Sequence, residues 1–131
     1  MKAEQILIES IAKAFPERKE LTDEWIEENP YLFEQISASE ALQYLPSYLM
    51  YVLQKLRVNP GSLVYVQVLY TLNNYSKCKS ADDQHQGIWY LLSNQQKQSI
   101  IHFIAHLTHN LPANIDAHEL KKISNRWQPV T

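Results

Sequence analysis

The sequence predicts an all-α fold, and three observations carry that expectation. Apolar residues recur at the i, i+3, i+4, i+7 spacing of a helical face along most of the chain. Cap signals at Thr22, Ser37, Ser93 and Asp116 each stand just ahead of such a run. One segment alone is rich enough in β-branched and aromatic residues to read as a strand, and no second strand exists to pair with it. The 131 residues, 45% of them apolar and 20% charged, suit one ordinary hydrophobic core. The expectation is a single compact helical domain over residues 1–131, with about six helices around a central helix starting at Pro46.

Residues 2–15 form the first helix: Ala3, Leu7, Ile11 and Ala14 share a face, Gln5, Glu9 and Lys13 line the other, and Pro16 stops it. Thr22 caps a short second helix, with Leu21 and Ile26 as its staple and Trp25 pointing inward, and Pro30 ends it. Ser37 with Glu40 is a capping-box pattern, so a helix begins near Ala38. Residues 41–56 are the densest apolar and aromatic stretch. Pro46 falls inside it, and a break there, with the proline in the first turn of a new helix, satisfies its missing N–H. Asn59, Pro60 and Gly61 close that helix with a turn signal.

The segment 62–74 is the one with strand character. Gln67, Thr71 and Asn74 fall at i, i+4 and i+7, a single polar stripe that makes it a helix buried on its other sides. Residues 75–87 read as a polar loop, and 88–92 as an apolar connector. Ser93 and Gln96 make a second capping box, ahead of a helix whose buried face is Ile100, Phe103, Ile104, Leu107 and Leu111, and Pro112 ends it. Asp116 with Glu119 repeats the signal, Ile115 and Leu120 supply a staple, and a last helix runs toward Arg126 with Trp127 at its end.

Composition bounds the function classes. A net charge of −2 with mixed signs along the chain gives no electrostatic footprint for nucleic acid or an anionic membrane, and no apolar run approaches the ~20 residues of a membrane span. The lone Cys78 cannot form an internal disulfide, and glutamates interrupt what would be the apolar core of a leader at the N-terminus, so a cytoplasmic address is expected. No cofactor motif is present, and no cofactor is expected. The expected partner is another protein or a second copy of the chain.

The sharpest constellation is His102, His106 and His109, whose spacing sets three imidazoles on one stripe of a helix, as in helical two-histidine metal sites. The stripe lies opposite the apolar face, beside Gln95 and Ser99, with no carboxylate in its own helix, so a solvated polar face is expected. The alternative is a small metal-binding protein or enzyme, with the set completed by His85, His118 or Asp116. Cys78 stands between two lysines, which favours a thiolate, but it lacks a positioned base. Tyr44, Tyr48 and Tyr51 form a second stripe, read either as core rings or as interface candidates, because a rigid ring with a polar tip suits both. The acidic neighbours Glu27 and Glu28 read as solvated charge, and Lys121, Lys122 and Arg126 as a patch too small for nucleic acid. The expectation is a non-enzymatic protein-interaction or accessory module, of the immunity type among others.

TyrLeuProSerTyrLeu at 44–49 resembles the aromatic, Leu-Pro, small residue, aromatic, Leu core of a bacterial family of uncharacterised small proteins. The resemblance extends to Ala14 and Phe15 at the end of the first helix, to Trp25, and to Leu92, Ser93 and Gln96 at the start of a late one. It spans residues 3–111. The family often has two aromatics before Leu-Pro, where this chain has Gln43 before Tyr44, and residues 75–88 have no counterpart. The resemblance implies one helical domain and no activity.

Overall fold

The computed structural model describes residues 3–55, 58, 62–77, 91–110 and 116–127. Within them lie six α-helices: α1 (Ala3–Ala14), α2 (Asp23–Glu28), α3 (Ala38–Lys55), α4 (Leu63–Lys77), α5 (Asn94–His109) and α6 (Ala117–Arg126), with a 3-10 turn at Leu32–Glu34. No strand occurs among the described residues, as the unpaired β-like segment requires. The expected turn at Asn59 to Gly61, the loop residues 78–87 and the connector residues 88–90 lie outside the described residues, as do Leu111, Pro112 and Ile115.

Packing joins α1 to α3, α3 to α4, α4 to α6, α6 to α5 and α5 back to α1, so five helices close a ring around the core. The sixth, α2, lies over α3 and α4. Ile11, Leu45, Leu49, Val64, Leu72, Ile100, Phe103, Leu107 and Trp127 are wholly enclosed. α1 and α5 run antiparallel. At one end Gln96 Nε2 donates to the Ala14 carbonyl at 3.0 Å; at the other, His106 meets Glu4. Arg18 donates to the carbonyls of Ala12 and Phe15, so the last turn of α1, which Pro16 deprives of helical continuation, has its acceptors satisfied from outside.

The caps follow the sequence with local differences. Ser93 and Gln96 make the full reciprocal box. At Ser37 the hydroxyl accepts from the Glu40 N–H at 3.3 Å and also contacts the Glu40 carboxylate, which therefore does not reach back to the backbone. Asp116 accepts from the His118 N–H at 2.7 Å, while Glu119 turns to Lys122 instead of completing a box.

One expectation is corrected at the centre. No helix starts at Pro46: α3 runs unbroken from Ala38 to Lys55 with the proline inside it. An internal proline removes one N–H, crowds the carbonyl four residues back and costs about 3 kcal/mol. The linker between α1 and α2 docks against this stretch. The Lys19 N–H donates to the Gln43 carbonyl at 2.9 Å, and the Ser47 hydroxyl donates to the Lys19 carbonyl. Pro46 and Ser47 are both buried beneath that linker. The two bonds, together with burial on nearly every side of residues 45–49, offset the proline's cost.

Two more boundaries move for packing reasons. α4 continues past Asn74 to Lys77, because Tyr75 is buried in the core and does not open a loop. Its expected polar stripe is also shifted, since Thr71 is buried while Leu63 and Tyr70 face solvent. Trp127 is fully enclosed, and its indole Nε1–H donates to the Leu72 carbonyl at 2.8 Å, locking the end of α6 to α4.

Removing the Ser47 hydroxyl in Ser47→Ala leaves the Lys19 carbonyl without its donor, and is expected to cost about 1–2 kcal/mol in urea unfolding at an unchanged slope. A cost of a few tenths would show that this linker does not anchor α3.

Candidate functional site

The tyrosine stripe of α3 is spent inside the chain. Tyr48 is fully buried; its hydroxyl donates to the Asn29 carbonyl at 2.6 Å and Phe33 packs edge-on to its ring with centroids 4.9 Å apart. Tyr51 is also buried, and its hydroxyl donates to the Glu27 carboxylate. Tyr44 is half-buried and stacks on Trp25 at 5.9 Å and 17°. Of the three interface candidates only Tyr44 retains open surface, and Trp25 occupies one of its faces.

Glu27 does more than the solvated charge expected of it. The oxygen that accepts from Tyr51 also accepts from the Ser62 hydroxyl at 2.7 Å, and one turn away Lys55 pairs with Asp23 at 3.1 Å. The Ser62 hydroxyl in turn accepts the Val64 N–H at the start of α4. One carboxylate thus joins α2, α3 and the entrance to α4. A sequence signal for this existed: Asp23 and Glu27 stand four apart on α2, as Tyr51 and Lys55 do on α3, so two acceptors on one helix match two donors on the other. Burial pushes the phenols of Tyr48, Tyr51 and Tyr75 well above the ordinary tyrosine value of 10.0, and at Tyr51 the Glu27 carboxylate adds to it. Tyr65, whose hydroxyl donates to the Lys55 carbonyl, is pushed up to about 12 by burial and then by Glu27.

The histidine stripe is only partly solvated. His102 and His109 are exposed, with His102 bonded to Gln98 at 3.0 Å. The His106 side chain is 10% exposed, and its Nε2 stands 2.6 Å from Glu4 Oε2 of α1. The two are close enough for an ion pair when the ring is protonated, though not aligned as a regular hydrogen bond. The carboxylate that the helix itself lacked therefore comes from its antiparallel neighbour, where the start of α1 meets the end of α5 and both dipoles favour this arrangement of charge. An open groove of about 730 Å³ runs here, floored by Ala3, Leu7 and Ala105 and edged by the three imidazoles and Glu4. Among the described residues no group of three or more His, Cys, Asp or Glu is placed to hold a metal ion. The Asp116 carboxylate accepts the His118 backbone N–H at the start of α6, and His85 and Cys78 lie outside the described residues.

A second groove, unforeseen in the sequence, lies between α4 and α6. It encloses about 250 Å³ among Val66, Leu69, Tyr70 and Asn73 on one side and Asp116, Glu119, Leu120 and Ile123 on the other. Tyr70 is 53% exposed at its edge and Leu63 is 44% exposed on the same helix. The signal for this surface was the absence of any charged residue from Leu63 to Ser76, unusual for a helix with an exposed face. No helix among the described residues is long and apolar enough to cross a membrane.

The tyrosines set the alkaline limit of stability. With folded values raised above the unfolded value of 10.0, their contribution is complete below that pH and is lost as pH rises through the folded values, the first near 12 at Tyr65. Urea unfolding is expected to weaken progressively from about pH 10 to 12. Tyrosinate absorbance is expected to show these four rings ionising late; all rings titrating together near 10 in folded protein would contradict it.

Comparison with known proteins places the chain without assigning it a site. No curated protein and no solved structure matches it. The model of one family covers residues 6–131, and so spans every described helix apart from the first three residues of α1. The chain belongs to that family, a family of unknown function (DUF6714).

Proposed function

We propose that the chain is a non-enzymatic cytoplasmic module that works by binding protein through the face shared by α4 and α6. The carrying observation is Tyr70, a half-exposed ring beside a mainly apolar groove on a helix with no charged residue from Leu63 to Ser76. Tyrosine is favoured at interfaces because a rigid ring supplies contact area and its hydroxyl a directed bond. An enzyme needs a nucleophile or base, an orienting partner and a charge stabiliser that converge on one cavity. Several polar side chains are engaged instead in caps and ties between helices, at Ser93, Gln96, Glu27, Arg18 and Ser47. Such a chain suits an accessory role, in which the partner carries the chemistry, and its net charge of −2 disfavours nucleic acid as that partner.

The test is affinity capture with wild-type chain and Tyr70→Glu. Because Tyr70 is half-exposed, the substitution is expected to leave helical content and thermal midpoint nearly unchanged while a specific partner is lost. Equal capture by both chains would refute the reading.

The approach of Glu4 to His106 supports a second reading, metal binding on the histidine stripe. Tag-free protein is expected to contain no stoichiometric metal, since a third ligand is not in place among the described residues. Stoichiometric zinc or a related ion that disappears in His102→Ala would reverse the order of the two readings.

A further inference from the structure

We infer that the groove between α4 and α6 receives an arginine side chain of a partner protein, its stem against the apolar walls and its guanidinium at the two carboxylates of the lining. This rests on the protein-binding reading above and names the chemistry of the partner's anchor. At about 250 Å³ the groove is smaller than the roughly 300–1,000 Å³ pockets that take cofactors and comparable ligands, and it suits one side chain.

The lining divides as such a side chain does. Val66, Leu69, Leu120 and Ile123 supply apolar surface for the stem, and arginine characteristically lays its methylenes on such surface while its charged head stays at the rim. The charged residues of the lining, Asp116 and Glu119, are both acidic, and α4 adds no charge from Leu63 to Ser76. Asp116 accepts the His118 N–H, but a carboxylate has about four lone-pair sites and that bond takes one. Glu119 has only a loose 3.8 Å contact with Lys122, both side chains being more than half exposed. Such a surface pair contributes little and yields to a guanidinium that bonds the carboxylate through two N–H groups.

Other occupants fit this lining less well. An acidic or purely apolar side chain leaves the two carboxylates without a counter-charge, and a second copy of the groove would bring like charges together. A metal ion needs more ligands, and among the described residues no group of three is placed to hold one. Between the two basic side chains the ring decides. Lysine carries a compact, strongly hydrated ammonium, whereas the planar guanidinium is weakly hydrated and stacks on an aromatic face. Tyr70, 53% exposed at the border of the groove, offers that face.

The test is a methyl NMR titration of the full chain with acetyl-Ala-Ala-Arg-Ala-Ala-amide and with its lysine and citrulline analogues, citrulline keeping the shape of arginine without its charge. The arginine peptide is expected to shift the methyls of Val66, Leu69, Leu120 and Ile123 saturably, with a dissociation constant of about millimolar order for one anchor alone. Citrulline is expected to bind about tenfold or more weakly, and lysine to fall between. Glu119→Gln, and Asp116→Asn, which keeps a side chain able to cap α6, are each expected to weaken the arginine peptide about threefold or more with the fold intact. No saturable shift at these methyls overturns the inference, as does equal binding of arginine and citrulline, or of arginine and lysine. Shifts at the same methyls on raising the concentration of the chain alone would give the groove to a second copy and overturn it equally. Failure of the peptide while capture of a protein stays Tyr70-dependent removes the arginine anchor and leaves the protein-binding reading standing. Loss of both results removes both.

Discussion

The passage of α3 straight through Pro46 is the constraint on which the rest of the arrangement depends. Because the helix does not break, Tyr44, Tyr48, Tyr51 and Lys55 keep one helical register over three turns and meet Trp25, Asn29, Glu27 and Asp23 in sequence. A break at the proline would rotate Tyr44 relative to the others and dissolve that match. The linker segment at Lys19 braces the helix there, its N–H donating to the Gln43 carbonyl and its carbonyl accepting from the Ser47 hydroxyl, where the proline weakens the ladder. The same contact holds the linker itself, and with it the position of α2 against α3 and α4.

Polar ties elsewhere follow the same economy of buried groups. Helix ends leave carbonyls without intrahelical donors, and those of α1 are met by Arg18 and by Gln96, a residue that also completes the cap of its own helix. Trp127 meets the Leu72 carbonyl, and the Glu27 carboxylate collects two hydroxyls. A buried polar group without a partner costs on the order of 1–3 kcal/mol, so each of these ties also penalises alternative packings. The consequence for function is subtractive. The Tyr48 and Tyr51 hydroxyls are consumed internally, and the most exposed tyrosine among the described residues, Tyr70, stands where α4 meets α6.

Two grooves among the described residues differ in kind. The one between α1 and α5 is wide and open, and its most buried imidazole is held by Glu4. The one between α4 and α6 is small, walled mainly by apolar side chains with Asp116 and Glu119 among its lining, and bordered by the exposed Tyr70 ring. Recognition by protein side chains favours the second form, in which a compact apolar recess and a few polar atoms select one anchor. Membership in a family of unknown function leaves that choice to the physical chemistry of the two surfaces.

The sequence by itself determined the helical class, the start of nearly every helix and most of the core. Those features follow from local causes: the period of apolar residues, hydroxyls and carboxylates at N-caps, and prolines after helix ends. Reading Ser62 to Asn74 as a helix also rested on local period, and it held. What happens at Pro46 was decided only by the tertiary structure, because the group that stabilises the unbroken helix comes from Lys19, 28 residues away from Ser47. The same holds for Glu27, met by Tyr51 and Ser62 at separations of 24 and 35 residues, and for His106, whose carboxylate lies on another helix. The groove beside Tyr70 needed two helices to be brought together before it existed. Local propensity cannot register such partners, since chain folding alone sets their proximity.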